Sequence, residues 1–452
     1  MQNIYKLKQK RTITFLGSGS FGCIICPPLK LTDEFEQTKV DFLIPNFSFN
    51  NIISCNFVGK ILAVNTPGNS EDTYESELKN LLIIQDLDPE GKYTPQLIYA
   101  NTHSTLGLLA SINRDEDEKL YNCLKNSNRD IFNKENKYGY IILKHVGTSL
   151  EKYLKTNINS NMDLINFLQK IIKLLEFLDI IYKKHIHMDI KYDNITETDN
   201  GEMFLIDFGR FQEINKTNIT KIVNELLRQS FFMYSFEPKI YCNLLKKKEE
   251  IKNKTINELI NYIDDNFELF IKPYVVLPYI KTIFQNIFSS DWITQLIEGN
   301  FITFRNKQYN IQNIDDYIRF RQKQYFINYL EIKYSENISN NDKIHKIDNI
   351  DDFLYNMFLP IIHKIDMCCI GITLAIIIIN FNDYSKYCFE SPTFKEHFEK
   401  LLKDLLFNNF DDVKSFIKDL QYLIDYELLE IVKKKSDTQT FLINLQNLIL
   451  EQ

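Results

Sequence analysis

Residues 187–194 read His187-Met188-Asp189-Ile190-Lys191-Tyr192-Asp193-Asn194, and thirteen residues after Asn194 comes Asp207-Phe208-Gly209. Short apolar, strand-like pieces accompany both, around Ile186–Ile195 and Met203–Phe208, and the polar stretch Thr196–Glu202 between them reads as a hairpin turn. The residue types suit a reactive site. Asp189 can orient an attacking hydroxyl and accept its proton. Asn194 and Asp207 supply the hard oxygen donors that Mg²⁺ takes. Lys191 adds a point charge two residues from Asp189. His187 reads as a structural core histidine.

Towards the N-terminus, TITFLGSGSFGCIIC over residues 12–26 reads as strand, glycine loop, strand. Gly17-Ser18-Gly19-Ser20-Phe21-Gly22 fits G-x-G-x-x-G. A dinucleotide-binding fold would open a helix at the third glycine. Here CIICPPL follows, strand-like and ending in two prolines, so no helix starts there. No GK[ST] is present, which excludes a P-loop. An ordinary hairpin turn is the plain alternative. The chemical reading is that backbone N–H groups approach phosphates closely where no Cβ intervenes. Composition points the same way. The chain has 13 glycines, where usage of roughly 7% would give about 32. Eleven of the 13 fall at or before Gly209.

The 452 residues are 44% apolar and 25% charged, ordinary values for a globular chain. A net charge of −7 argues against general nucleic-acid binding. The basic runs Lys246–Lys248 and Lys433–Lys435 read as solvated helix faces. Eight cysteines show no zinc-like spacing; Cys23 and Cys26 read as free thiols packed as small hydrophobes, which implies a reducing compartment. The polar N-terminus does not read as a signal peptide. The longest apolar run, Cys368–Ile379, is twelve residues, too short for a bilayer and suited to a buried core helix.

Residues 27–56 and 111–138 read as insertions, the first loop-rich and the second exposed. Phe57–Val64 is a strand carrying Lys60, Tyr74–Gln85 a helix, and Tyr138–Val146 a buried strand leaving into a turn at Gly147. Leu164, Leu168, Ile171, Ile172, Leu175, Leu178 and Tyr182 mark one long amphipathic helix. From about residue 240 helix dominates, and 240–350 carries no readable motif. Strands early and helices late predict an α+β chain of two lobes.

With Met in place of Arg, residues 187–194 match H-R-D-L-x-x-x-N, and the complete D-F-G and the strand–loop–strand glycine motif occur in matching order. On these residues the chain resembles the protein-kinase superfamily over roughly 11–380. The resemblance implies a bilobal fold, with a β-rich N-lobe over 1–146 and a mostly helical C-lobe over 147–452. It implies a Ser/Thr protein kinase that uses ATP and Mg²⁺ on protein substrates. Asp189 and Lys191 would be catalytic, with Asn194 and Asp207 as metal ligands. Lys60, in FVGK, would contact the α- and β-phosphates, paired with Glu77 or, as runner-up, Glu75. Leu16, Gly17, Ser18, Gly19, Ser20, Phe21, Gly22, Cys23 and Ile24 would cover the nucleotide. Leu143 would be gatekeeper, and the Val146 backbone would face adenine. Asp366-Met367-Cys368-Cys369-Ile370-Gly371 resembles the D-x-W-S-x-G that starts a buried core helix.

The chain also departs from the pattern. Met188 replaces the arginine that, in many kinases, pairs with a phosphorylated activation loop, which weakens the case for such phosphorylation as the switch; Thr217, Thr220, Ser230 and Ser235 are candidate sites, and no motif favours one. Phe236-Glu237-Pro238 is the nearest piece to A-P-E, and no arginine follows Arg321, so the activation segment needs a different anchor. These features are similar to kinases of large cytoplasmic DNA viruses, the giant amoebal viruses and, more distantly, the poxvirus assembly kinase. That likeness implies the host cytoplasm and packaging in the virion. Two other readings share the motifs. A pseudokinase scaffold is disfavoured because Lys60, Asp189, Asn194 and Asp207 are all intact. A small-molecule kinase is disfavoured by Lys191 and the glycine flap.

Overall fold

β-Branched and aromatic residues build the N-terminal half. In the computed structural model six strands form one antiparallel sheet: β1 (Thr14–Gly19), β2 (Gly22–Cys26), β3 (Phe42–Leu43), β4 (Phe57–Ala63), β5 (Leu97–Ser104) and β6 (Lys137–Lys144), in the order β1-β2-β4-β6-β5-β3. The structure describes residues 14–19, 22–29, 41–45, 55–64, 74–104, 117–127, 137–150, 161–228, 237–271, 301–334, 347, 349–380, 392–406, 412–430 and 432–433. The expected loop-rich insertion over 27–56 lies largely outside them. They fall into two compact units. One comprises the described residues up to Leu150 together with Asp193–Phe211; the other comprises those of Glu151–Tyr192 and Gln212–Gln452. The chain is thus α+β, β-rich in its N-terminal part and helical in its C-terminal part.

Strand alternation decides what each side of the first unit's sheet carries. In the β2–β4 register Cys23 lies opposite Ile61, and Ile24 opposite Lys60. Cys23 and Ile61 face a core shared with Ile25, Ile98, Leu124 and Tyr140. Ile24 and Lys60 therefore share the other face. Gly59 is required by packing, since a Cβ there would stand 2.5 Å from the Tyr140 hydroxyl. Helix α1 (Tyr74–Leu87) buries Tyr74, Glu77, Asn80, Leu81 and Ile84, one stripe at helical spacing.

The segment expected to be an exposed insertion over 111–138 contains helix α2 (Glu118–Ser127), whose Leu120, Cys123 and Leu124 enter the core. Its apolar residues recur at three and four, a signal diluted by polar flanks. The reading of Cys23 and Cys26 as free thiols is corrected: Cys23 is bonded to Cys123 and Cys26 to Cys55. The inference of a reducing compartment loses that ground. Cys23–Cys123 joins residues 100 apart. Its reduction is expected to lower unfolding free energy by about 2–4 kcal/mol, because a long loop regains its freedom in the unfolded chain. Denaturant titration with and without reductant, with peptide mapping of the bridge, measures this; coincident curves would refute it.

The first unit closes with β7 (Thr148–Ser149), β9 (Ile195–Glu197) and β10 (Met203–Leu205), ordered β10-β9-β7. Gly147 enters β7 at φ +85, and a Cβ there would meet the Glu197 carbonyl oxygen at 2.0 Å, so the turn needs glycine on both counts. The β9–β10 turn is the one expected over 196–202, with the Thr198 N–H donating to the Glu202 carbonyl at 3.0 Å.

In the second unit α3 (Asn161–Ile181) buries the periodic apolar residues that predict it. The short pair β8 (His185–Ile186) and β11 (Gln212–Glu213) follows. Then come α4 (Ile219–Arg228), α5 (Glu237–Lys246), α6 (Ile256–Ile271), hairpin β12–β13 (Phe301–Phe304, Lys307–Asn310), α7 (Ile314–Lys333), α8 (Ile350–Asn380), α9 (Pro392–Leu406) and α10 (Val413–Tyr422). The core helix expected to begin at Asp366 begins sixteen residues earlier, at Ile350, with Pro360 inside it. Proline has no N–H for the Asn356 carbonyl, and the Lys333 ammonium donates to that carbonyl instead. Among the described residues, Ile350–Ala375 is the one helix long and apolar enough by composition to cross a membrane, and 82% of that window is buried inside the protein.

The hairpin is an exception to the helix expected to dominate beyond about residue 240. Its two-residue turn has Arg305 and Asn306 both left-handed, at φ 49 and 61, as the right-handed twist of a tight hairpin demands. Arg305, Lys307 and, from α7, Lys323 converge on Asp264 of α6, which is 2% exposed.

Candidate active site

Lys60 rises from β4 and is 6% exposed. Its Nζ lies 2.5 Å from Glu77 Oε1 on α1 and 3.3 Å from Asp207 Oδ1. Burial alone would lower the ammonium's pKa; the carboxylates of Asp207 and Glu77 more than reverse this, and the group is held well above its ordinary value. Glu77 is 4% exposed and stands on the buried stripe of α1. The runner-up Glu75 is exposed.

Asp207 takes a left-handed backbone, φ 63 and ψ 72, and enters a 3₁₀ turn over Phe208–Arg210. Its side chain remains 23% exposed. Phe208 is buried, edge-on to Phe211 with ring centroids 5.9 Å apart. Asn194 ends a 3₁₀ turn, its side chain buried and its carbonyl accepting the Ile206 N–H at 2.9 Å. Asp207 and Asn194 thus enter the same unit as Lys60. Among the described residues no group of three or more His, Cys, Asp and Glu side chains gathers as a metal site. One carboxylate and one carboxamide fit an ion such as Mg²⁺, which keeps several waters and takes its other oxygens from phosphate.

The glycine motif spans the β1–β2 connection. Gly17 pairs with Ile24, Ser18 with Cys23 and Gly19 with Gly22; Ser20 and Phe21 lie outside the described residues. Leu16 is exposed on β1 and Ile24 half-buried on the face of Lys60. The Cys23 side chain is committed to the core disulfide, so of this residue only the backbone is left for a ligand. Leu143, half-buried, pairs with Val58 and Leu97; Val146 is buried just beyond β6.

In the second unit the other motif residues form their own network. The Asp366 carboxylate accepts the backbone N–H groups of His187 at 2.7 Å and Met188 at 3.0 Å. Burial pushes this carboxyl up to about 7, against the pull of those two bonds. Met188 is buried at φ 64, and His187 is a core residue whose Nδ1 accepts the Asp189 N–H at 3.2 Å. Lys191 Nζ lies 3.2 and 3.1 Å from the two oxygens of Asp189.

After Gly209 the described residues are anchored by helix packing and by polar contacts. Helix α4 buries Ile219, Ile222, Val223 and Leu226. Gln212 donates to Glu225 at 2.6 Å, and Lys216 pairs with Asp352 at 2.8 Å. Thr217 is held in a turn by Asn215, and Thr220 lies 3.3 Å from the Tyr241 hydroxyl. Ser230, Ser235 and Phe236 lie outside the described residues.

Sequence reasoning missed Asn80, whose Nδ2 donates to the Phe208 carbonyl at 2.8 Å. Its spacing of three from Glu77 was visible; a partner 128 residues away was not. No family profile matches the chain, and no curated protein is recognisably similar to it.

Proposed function

We propose that the chain is a protein serine/threonine kinase that transfers the γ-phosphoryl group of Mg-ATP to protein hydroxyls. The observation that carries the reading is the buried Lys60 ammonium between Glu77 and Asp207. A buried lysine gripped from one side and facing a partly exposed carboxylate on the other suits an oligophosphate with its metal. Bound Mg-ATP supplies the electrophilic phosphoryl group and the charge that screens it. Glu77 orients Lys60 towards the α- and β-phosphates. Asp207 and Asn194 offer the metal's protein oxygens. Asp189 orients the substrate hydroxyl and takes its proton, and Lys191 sets a positive charge beside it. The Asp366 bonds hold the backbone before Asp189 in place.

Radiolabelled ATP with basic and acidic protein substrates, followed by phosphoamino-acid analysis, tests the reading. Mg²⁺-dependent phosphoserine or phosphothreonine is expected, and Lys60→Met should abolish it. Mg-ATP should stabilise the wild type by about 2.7 kcal/mol at a hundredfold excess over Kd, seen as a raised Tm. Absence of both transfer and a Tm shift at millimolar Mg-ATP would overturn the proposal.

A further inference from the structure

Asn80 lies one turn beyond Glu77 on the same buried stripe of α1 and is 7% exposed. A buried carboxamide among apolar neighbours is destabilising unless its donors find partners. Its Nδ2 reaches the main-chain carbonyl of Phe208 at 2.8 Å. That carbonyl also accepts the Phe211 N–H at 3.1 Å, closing the 3₁₀ turn. Two donors therefore pin the Phe208–Gly209 peptide, one residue beyond Asp207. Asp207 is left-handed, a conformation that a non-glycine residue keeps only where its surroundings over-determine it. Glu77 and Asn80 thus act from one helix on two neighbouring targets. Glu77 holds Lys60, whose Nζ faces the Asp207 carboxylate, and Asn80 holds the carbonyl of Phe208, the residue next to that aspartate in the chain.

We propose that Asn80 is a positioning residue that ties α1 to the Phe208 carbonyl, keeping Asp207 turned towards Lys60 so that α1, Lys60 and Asp207 move as one. This rests on the kinase reading only for Asp207 as a metal ligand; the tie itself belongs to the chain. Two consequences follow. Losing the donor loosens the 207–211 turn while the sheet stays intact. It also raises the Mg²⁺ needed for nucleotide binding, because the aspartate must be reordered by the ion.

The test uses full-length wild type, Asn80→Leu, which keeps bulk without a donor, and Asn80→Gln, which keeps the donor. Amide hydrogen exchange of the protein without nucleotide is read over 203–212 and over the β4–β6 strands. In Asn80→Leu exchange over 207–211 should rise about 3- to 10-fold, the ratio for losing one hydrogen bond, with the strands unchanged. The Mg²⁺ concentration giving half the ADP-induced Tm shift should rise by a similar factor, and Asn80→Gln should recover part of both. Should Asn80→Leu not fold, Asn80→Ser, too short to span the gap, carries the same expectations. Wild-type exchange and wild-type Mg²⁺ dependence in the donor-less variant would overturn the proposal. A wild type that neither binds nucleotide nor transfers phosphate would overturn the kinase reading instead, and the exchange comparison would still decide the tie.

Discussion

Asp189→Asn is expected to cut phosphotransfer by about 10²–10⁴, the usual worth of a positioned general base and hydroxyl anchor. The substitution preserves shape and removes the proton acceptor. The backbone leading up to it is held by other groups. The Asp189 backbone N–H is held by His187 Nδ1, and the two preceding N–H groups are held by buried Asp366. The substitution weakens the pair with Lys191, at 3.1 Å, while the amide oxygen of asparagine can still accept from that ammonium. Loss of turnover in this variant therefore reports chemistry. The Mg-ATP-induced Tm shift should stay at its wild-type size, since Lys60, Asn194 and Asp207 are untouched. Wild-type turnover would remove Asp189 from its assigned role.

Asp264→Ala is expected to destabilise the helical unit by about 3–5 kcal/mol, measured as a lower denaturation midpoint in urea. Asp264 is 2% exposed and is reached by Lys323 at 2.9 Å and by Lys307 at 2.8 Å. Lys323 is itself buried, between this carboxylate and the rings of Tyr309 and Phe267. Removing the anion strands an ammonium inside the protein, far costlier than losing a surface pair. Lys323→Met on the Asp264→Ala background should recover part of the loss, because the stranded charge goes too. Burial pushes the Asp264 carboxyl up, but the Lys307 and Lys323 hydrogen bonds more than reverse this, and its pKa is lowered overall. The cluster's stabilisation is thus complete above the unfolded carboxyl's pKa and is lost as pH falls through the depressed folded value. The gap between variant and wild type should narrow below about pH 4. A gap that is small and independent of pH would mean that Lys323 finds another partner.

The same cluster shows how the described residues over 301–334 form ordered elements without carrying a motif. Its hairpin has two left-handed residues at the turn, and neither is glycine. Local propensity opposes Arg305 there, so the fold must be imposed from outside the hairpin. The guanidinium of Arg305 lies 3.5 Å from Asp264 and 3.1 Å from Glu331, one from each flanking helix. Those partners lie 41 and 26 residues away in sequence, beyond any local pattern.

Other differences between sequence and structure have the same origin. The long helix ending at Ile181 is legible because its burial repeats every three to four residues. The 350–380 helix is legible from Asp366 onward through its apolar run; its first sixteen residues are not, because Pro360 normally ends a helix, and the lysine serving the orphaned carbonyl belongs to another helix. The cysteines of β2 read as small hydrophobes because both are buried; their partners come from α2 and from Cys55.

Read alone, the amino-acid sequence singled out the residues of the proposed chemistry. The glycine loop, His187–Asn194 and Asp207–Gly209 are each short, so their residue types and spacings can be read locally. It also determined the order of strands before helices, through periodicities that local burial imposes. Tertiary structure decided which glutamate of α1 meets Lys60, that Cys23 is closed off in a disulfide, and that Asn80 reaches the turn after Asp207. Each is a contact between segments distant in sequence, and the free energy of such contacts depends on burial and approach that only the folded chain creates.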